Sequence, residues 1–149
     1  MGYAAVIKEI LVNLKTVIES TTDFTSAKGN VSRAYLKSWQ GVTYPVCQIR
    51  PLIDDFGKET IGGHREEETF NVEVKVKAVG TGSETDQDSI IGYVGEIVDA
   101  VEAKRSLDCT LAFVQAIPRR IVYTLSPTEG SAVFYYAVIL VKIKLKRAV

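Results

Sequence analysis

The stretch AVFYYAVILVKIKLK, residues 132–146, decides how the rest of the chain must fold. Successive residues of a β-strand point to opposite faces of a sheet, so its odd and even positions form two separate rows. The odd row, from Tyr135 to Leu145, is apolar throughout, whereas the even row begins apolar and ends in lysines. A strand that is apolar on both faces is normally covered on both faces. We therefore expect something to cover each face of this strand.

Two amphipathic helices are predicted to cover one face of the sheet. Residues 3–20 place apolar side chains at steps of three and four, and a second helix ending near Lys104 does the same. The second helix is expected to open with Thr85 and Asp88 as a capping box. The order helix, strand, strand, helix, strand, strand predicts an α+β domain with a mainly antiparallel sheet and both helices packed on one face.

The remaining strands are less regular. Residues 70–78 alternate between apolar and polar side chains, which predicts one buried and one solvated face. Residues 42–50 are bracketed by Pro45 and Pro51 and are expected to lie at an edge or to end at each proline. Residues 110–125 are predicted to form one strand or two, interrupted at Pro118.

The whole chain, residues 1–149, is expected to form a single domain. Residues 3–20 are its first helix, residues 21–30 a polar loop, and residues 42–147 the sheet and the second helix. The longest apolar stretch, Ala132 to Val141, is about half of what a membrane-spanning helix needs, so no membrane contact is expected.

The net charge of zero conceals an uneven distribution of charge along the chain. Residues 1–50 carry six basic and three acidic side chains, residues 51–108 carry six and fourteen, and residues 109–149 carry six and one. Such polarity suits a subunit that associates with copies of itself head to tail. The alternative is that the charges intermix on the folded surface.

No catalytic, metal-binding or cofactor-binding residues are expected, and the chain is predicted not to be an enzyme. His64 is the single histidine and lies in a polar loop without a nucleophile beside it. Gly80 to Gly82 precede a helix as in anion sites, but a P-loop lysine is missing and nearby carboxylates would repel phosphate. Cys47 and Cys109 lie in apolar stretches and are expected to be buried thiols of a protein made in reducing cytosol.

The even row of the last strand needs a cover, and a neighbouring subunit is the economical one. Residues 31–39 or a curled sheet are the alternatives. The second helix carries glycines away from its apolar stripe, which indicates either close approach of another backbone or simple tolerance of glycine, at about 1 kcal/mol each. The candidate subunit-contact residues are Gly92, Gly95, Asp99, Phe134, Tyr136, Val138 and Leu140.

Three lysines end the even row, Lys142, Lys144 and Lys146, and together with Arg119 and Arg120 they suggest a basic ridge. Phosphate and an acidic protein surface would both suit such a ridge. The protein surface suits it better, because no stacking platform of aromatic side chains accompanies the lysines. Sequence-specific binding of nucleic acid is not expected.

Several segments together resemble a known family. They are the strand ending Gln48-Ile49-Arg50-Pro51, the loop Gly62-Gly63-His64-Arg65 before the strand of residues 69–79, the helix Asp88-Ser89-Ile90-Ile91-Gly92-Tyr93-Val94 continuing through Ile97-Val98 and Ala100-Val101, and the hairpin at Gly130. Their order over residues 1–147 resembles that of the tail terminator, or tail completion, proteins of long-tailed bacteriophages. The resemblance is one of hydrophobicity and loop placement.

This resemblance implies a structural virion protein at the head-proximal end of the tail, assembled in the host cytoplasm. Family members form a ring, commonly a hexamer, that caps the completed tail tube, stops its polymerisation and provides the docking surface for the head. The implied partners are further copies of the chain, the tail tube protein and the head connector, with DNA passing through the ring. The loops expected to face the tube, head or pore contain Asp54, Asp55, Lys58, His64, Arg65, Glu84 and Asp86.

Two other functions stay open at this point. One is a head-closure or connector protein, which differs only in the partner that it binds. The other is a dimeric α+β regulatory domain that binds a small molecule near residues 80–88.

Overall fold

The computed structural model describes residues 2–34, 44–57, 68–125 and 133–147. The elements within these residues are α1 (Tyr3–Glu19), a 3-10 turn (Ser26–Lys28), β1 (Val31–Ser32), β2 (Val46–Asp55), β3 (Glu68–Gly80), α2 (Glu84–Ala103), β4 (Ala112–Leu125) and β5 (Val133–Arg147).

The strands form one sheet in the order β1-β2-β3-β5-β4. The short β1 runs parallel to β2, and all other neighbours are antiparallel. β5 lies between β3 and β4, and its pairing with β3 extends from Val133 opposite Gly80 to Leu145 opposite Glu68. The α+β class and the mainly antiparallel sheet predicted from the sequence are therefore confirmed.

Both helices pack on the same face of the sheet and enclose one apolar core. α1 buries a stripe that includes Ile10 and Leu14, and α2 buries Ile97 and Val101. These side chains join the odd row of β5 in a single cluster. The predicted division of the last strand is confirmed, since the odd row from Tyr135 to Leu145 is buried and the even row is half-buried or exposed.

The prolines of β2 and β4 do not end their strands. β2 continues past Pro51 to Asp55 with a bulge before Ile53, so of the two alternatives predicted for this strand the edge position is confirmed and the strand end at Pro51 is wrong. The reason is its edge position: β1 pairs only as far as Gln48, and a missing N–H does not break a ladder at a free edge. β4 is likewise one strand, with a bulge after Pro118.

The loop of residues 21–30 is anchored more firmly than its polar composition predicts. Phe24 is fully buried, and its ring meets that of Tyr93 edge-on, with 6.1 Å between the centroids. Asn30 is also buried, and its Nδ2 donates to the carbonyl oxygens of Asp23 and Pro45 at 2.8 Å each. One aromatic ring and one amide therefore fix this loop to the core.

The predicted capping pair of Thr85 and Asp88 is wrong by two positions. Ser83 is the residue before α2, and the Asp86 carboxylate accepts hydrogen bonds from the N–H groups of residues 81–83 at 2.8, 2.8 and 3.0 Å. These hydrogen bonds hold the pKa of Asp86 below its ordinary value. The helix start therefore uses the pair Ser83 and Asp86, which has the same spacing as the predicted pair.

Gly80 lies beside this carboxylate, and a β-carbon at position 80 would run into Asp86. Replacing Gly80 by Ala is expected to displace the carboxylate, weaken the start of α2 and lower the melting temperature, as measured by circular dichroism. Gly92→Ala is the matched control, because position 92 is open and the change should stabilise the helix by up to about 1 kcal/mol. Equal melting temperatures for Gly80→Ala and the wild type would contradict the capping role of Asp86.

Candidate interaction surfaces

One face of the sheet carries neither helix, and we call it the helix-free face. Its apolar centre is the even row of β5, namely Phe134, Tyr136, Val138 and Leu140, each half-buried. Basic side chains of three strands surround this centre, and they are Lys75 and Lys77 of β3, Arg120 of β4, and Lys142, Lys144 and Lys146 of β5. The ridge predicted from the sequence therefore lies on the same surface as the four apolar contact candidates, with Arg119 at the neighbouring bulge.

Lysines of β3 lie over the aromatic rings of the helix-free face. Lys77 Nζ is 4.2 Å from the ring centroid of Phe134, and Lys75 Nζ is 4.6 Å from that of Tyr136. Burial lowers the pKa of Lys77, but Tyr136 and Tyr44 beside it outweigh burial, so the pKa is raised overall. Lys77 therefore stays charged, and the rings are capped by cations instead of being open for base stacking.

The helix-free face is positive despite two acidic side chains among its described residues. Glu73 is paired with Arg50 at 2.6 Å, and Asp55 lies at the end of β2, level with Thr69. Neither carboxylate lies in the lysine row at the end of β5. Lys142 and Lys144 there are half-buried, and Lys146 at the end of the row is exposed.

One end of the helix-free face is partly covered by the chain itself. Gln48 is 8% exposed, although it lies level with Lys75, and its Nε2 donates to the carbonyl oxygen of Ala34 at 2.7 Å. The ring of Tyr44 lies 5.9 Å from that of Phe134. Residues 35–39 of the alternative cover proposed from the sequence lie outside the described part of the chain.

The outer face of α2 is a second candidate surface. It comprises the residues turned away from the buried stripe, namely Glu84, Asp88, Ile91, Gly92, Gly95, Asp99 and Glu102. Ile91 is 54% exposed, and a β-carbon at Gly92 or Gly95 would meet no atom within 4 Å. The predicted contact residues of the second helix therefore lie together on one face. This face has acidic side chains toward both ends and glycines in the middle.

The helix-free face and the outer face of α2 lie on opposite sides of the molecule, because α2 packs against the other side of the sheet. Among the described residues, one of these surfaces is mainly basic and the other is acidic. These two described surfaces thus differ in the sign of their charge. This arrangement favours the head-to-tail interpretation over the intermixed one.

The expectation that Asp54 and Asp55 lie in a loop is wrong. Both belong to β2, where they pair with Phe70 and Thr69, because the bulge after Pro51 lets the strand continue. Both carboxylate oxygens of Asp54 are buried, whereas Asp55 is exposed and accepts a hydrogen bond from an N–H two residues on. Asp55 alone of this pair is open to a partner.

The other loop candidates divide between α2 and the undescribed part of the chain. Glu84 is the exposed first residue of α2, and Asp86 is engaged at its start, so neither is a loop residue as expected. The physical reason is the earlier cap at residue 83. Lys58, His64 and Arg65 lie outside the described residues.

A buried charged cluster beside the start of α1 was missed by sequence reasoning. Arg147 Nε donates to Glu68 Oε1 at 2.7 Å, and the Glu68 side chain is 5% exposed. The guanidinium also lies 5.3 Å from the ring centroid of Tyr3. Burial raises the pKa of Glu68, the neighbouring Asp54 raises it further, and Arg147 opposes both. Glu68 lies two residues before the buried Phe70 and therefore on the same face of β3. This alternation was the feature of the sequence that could have indicated the burial of Glu68.

Three oxygens of this cluster are buried, namely both of Asp54 and Oε2 of Glu68, and the side chains of Tyr3 and Glu68 lie beside Asp54. Two carboxyls that face one another cannot both ionise cheaply, because like charges repel in a poorly solvated site. Protonation of Glu68 relieves this repulsion, and the neighbouring Asp54 therefore raises the pKa of Glu68. The cluster is therefore a structural element whose charge depends on pH.

The start of α2 has its N–H groups occupied. Those of residues 81–83 all donate to Asp86, so an anion would have to displace that carboxylate. This geometry weakens the alternative of a small-molecule site near residues 80–88, as far as that ligand is an anion.

The described residues contain no group of three or more His, Cys, Asp or Glu side chains placed to hold a metal ion. Within the same part of the chain, no helix is both long and apolar enough to cross a membrane. Cys47 is buried as expected, whereas Cys109 is only partly buried.

A scan against protein-family models and a search of curated proteins both give no match to this sequence. The class of protein is therefore defined by its own structure. It is an α+β protein with two helices on one side of its sheet and a basic, partly apolar face on the other.

Proposed function

We propose that the chain is a structural virion protein that forms a ring on the completed tail tube of a long-tailed bacteriophage. The ring stops further polymerisation of the tube and provides the docking surface for the head. The order of elements, which resembles that of tail terminator proteins, supports the proposal that the assembly is a ring on a tail tube. The two charged surfaces support self-association on physical grounds.

The observation that carries this proposal is the location of unlike surfaces on opposite sides of one subunit. The helix-free face is basic with an apolar centre, and the outer face of α2 is acidic. Two copies of the helix-free face would set lysine against lysine, which disfavours a twofold dimer through that face. Contacts between unlike surfaces give a closed ring when the rotation between neighbours closes, and an open filament otherwise.

Six copies are proposed, as is common in the family that the chain resembles. The proposed partners are the tail tube protein on one side of the ring and the head connector on the other, with DNA passing through without being read. The protein is proposed to act in the virion, at the head-proximal end of the tail, after assembly in the host cytoplasm. No catalysis, metal or cofactor is required for this function.

Native mass spectrometry of the purified full chain at several concentrations tests the proposal. We expect a single higher oligomer, with six copies as the expected mass, and ring-shaped particles in negative stain. A strictly monomeric chain at high concentration, or a dimer as the end state, would overturn the proposal.

A head-closure role is separated from tail capping by the partner alone. Incubation of the ring with purified tail tubes of the same phage should place one ring at one end of each tube and stop its growth. Binding to the head connector together with no effect on tube growth would favour head closure.

A further inference from the structure

The helix-free face is a large surface that the described chain leaves partly open. Its centre is the row from Tyr136 to Leu140, half-buried, and its far end is the lysine row that finishes at Lys146. An apolar centre with a charged surround is the usual composition of a protein-protein contact. The charge of the surround indicates an acidic occupant.

We propose that the helix-free face of one subunit binds the outer face of α2 of a second copy of this chain. This inference rests on the proposed function, because both require self-association, and it adds the two surfaces that meet. The occupant is identified by its charge and its shape. Both properties are found on the chain itself.

The charges of the two surfaces are opposite in sign and similar in spacing. Asp88 and Asp99 lie on the same outer face of α2, about 16 Å apart at the rise of an α-helix. Lys142 and Lys146 lie on the same face of β5, about 14 Å apart at the rise of a β-strand. Two acidic groups on a helix can therefore face the two ends of a row of lysines.

The shapes of the two surfaces also match. Gly92 and Gly95 leave the middle of the α2 face without side chains, so a bulky surface can approach the helix backbone closely. Val138 and Leu140 supply such a surface at the centre of the helix-free face. Ile91, exposed at the side of the glycines, adds apolar area to the contact.

The free edge of β4 is the rival surface for a second copy. It exposes Ile121, Val122 and Tyr123, which are 37%, 42% and 49% exposed. However, Arg119 lies beside a bulge in this edge, and charges and bulges hinder pairing of strands from two chains. The edge also offers no acidic counterpart to the lysine row.

Paired charge reversals test the inference. We expect that Lys142→Glu with Lys146→Glu abolishes the oligomer seen by native mass spectrometry, and that Asp88→Lys with Asp99→Lys does the same. Combining all four changes should restore the oligomer, because the sign of each surface is exchanged. Raising the salt concentration to about 1 M should weaken the wild-type oligomer, because charges more than about 3 Å apart are then screened from one another.

Lys8→Glu with Lys15→Glu is the matched control, because it changes the net charge equally on the solvent side of α1. This control should assemble as the wild type does. Circular dichroism and thermal unfolding establish that each variant is folded, so that loss of the oligomer reports on the contact.

Gly92→Phe is an independent probe of the same contact. The position is open in the isolated subunit, so the monomer should fold with at least wild-type stability, whereas the ring should fail to form. An oligomer that survives this substitution would overturn the inference.

The remaining outcomes are distinguishable. Assembly by the lysine variant, or failure of the four-position variant to assemble although it is folded, would overturn the α2 contact while the ring itself stands. If the lysine variant assembles but no longer binds a labelled DNA duplex that the wild type binds, the lysines contact phosphate and the α2 contact is overturned. A monomeric wild type would overturn the proposed function together with this inference.

Discussion

Replacing Ile139 by Ala is expected to lower the free energy of unfolding by about 3 to 4 kcal/mol. Ile139 is fully buried in the odd row of β5, between β3 and β4 and on the face of the sheet that α2 covers. Its truncation removes apolar surface and leaves a cavity that a central strand cannot close by moving. Urea unfolding followed by circular dichroism measures the loss, which is a large part of the roughly 5 to 15 kcal/mol typical of a domain.

Val138→Ala is the control for this change on the same strand. Val138 points to the helix-free face and is only half-buried, so its truncation should cost about 1 kcal/mol or less in the monomer. If the proposed contact forms, Val138→Ala should weaken the oligomer more than it weakens the subunit. Equal costs of unfolding for the two variants would contradict the assignment of faces.

Replacing Arg147 by Met is expected to cost about 3 kcal/mol at neutral pH, the low end for a buried charge that loses its partner. Arg147 donates to Glu68, whose side chain is 5% exposed, and two oxygens of Asp54 are buried nearby. Without the guanidinium, the two carboxyls face each other and Glu68 has lost its cationic partner. Glu68→Gln in the same background should recover most of the loss.

The cost of Arg147→Met should depend on pH because of Glu68. Burial, and then the neighbouring Asp54, raise the pKa of Glu68 above its ordinary value of 4.5. Stability contributed by the protonated carboxyl is therefore complete below about 4.5 and is lost as pH rises through the raised pKa. Because Arg147 lowers the pKa of Glu68, its removal raises that pKa further. The stability is then lost over a wider range of pH.

Unfolding of Arg147→Met measured near pH 4.5 and at pH 7 should show the smaller penalty at pH 4.5. The double variant with Glu68→Gln should show a penalty that varies little between the two conditions. A penalty for the single variant that is larger at pH 4.5 would contradict the described cluster.

Most of the architecture was predictable because it depends on local periodicity. The apolar stripe of α2, from Ile90 to Val101, and the alternation of β3 each report directly which side of an element is buried. The same alternation divided β5 into its two rows correctly. These patterns are repeated over many residues, so single exceptions do not disturb them.

The errors fall where one residue is decided by its neighbours in space. Pro51 is consistent in sequence with either an edge strand or a strand end, and only the pairing of β2 shows that the strand continues past it, because no described strand pairs with its outer edge there. Phe24 is the sole strongly apolar side chain in a polar loop, and only its contact with Tyr93 shows that it anchors that loop. The two possible caps of α2 have equal spacing, and local composition does not choose between them.

The sequence by itself determined the element order, the helical stripes, the two rows of the last strand and the uneven distribution of charge. These properties depend on residues close together in the chain. Tertiary structure alone decided that the basic residues of β3, β4 and β5 share one face and that the acidic face of α2 lies on the opposite side. It also brought Asp54, Glu68 and Arg147 together, because strand register joins residues that lie far apart in sequence.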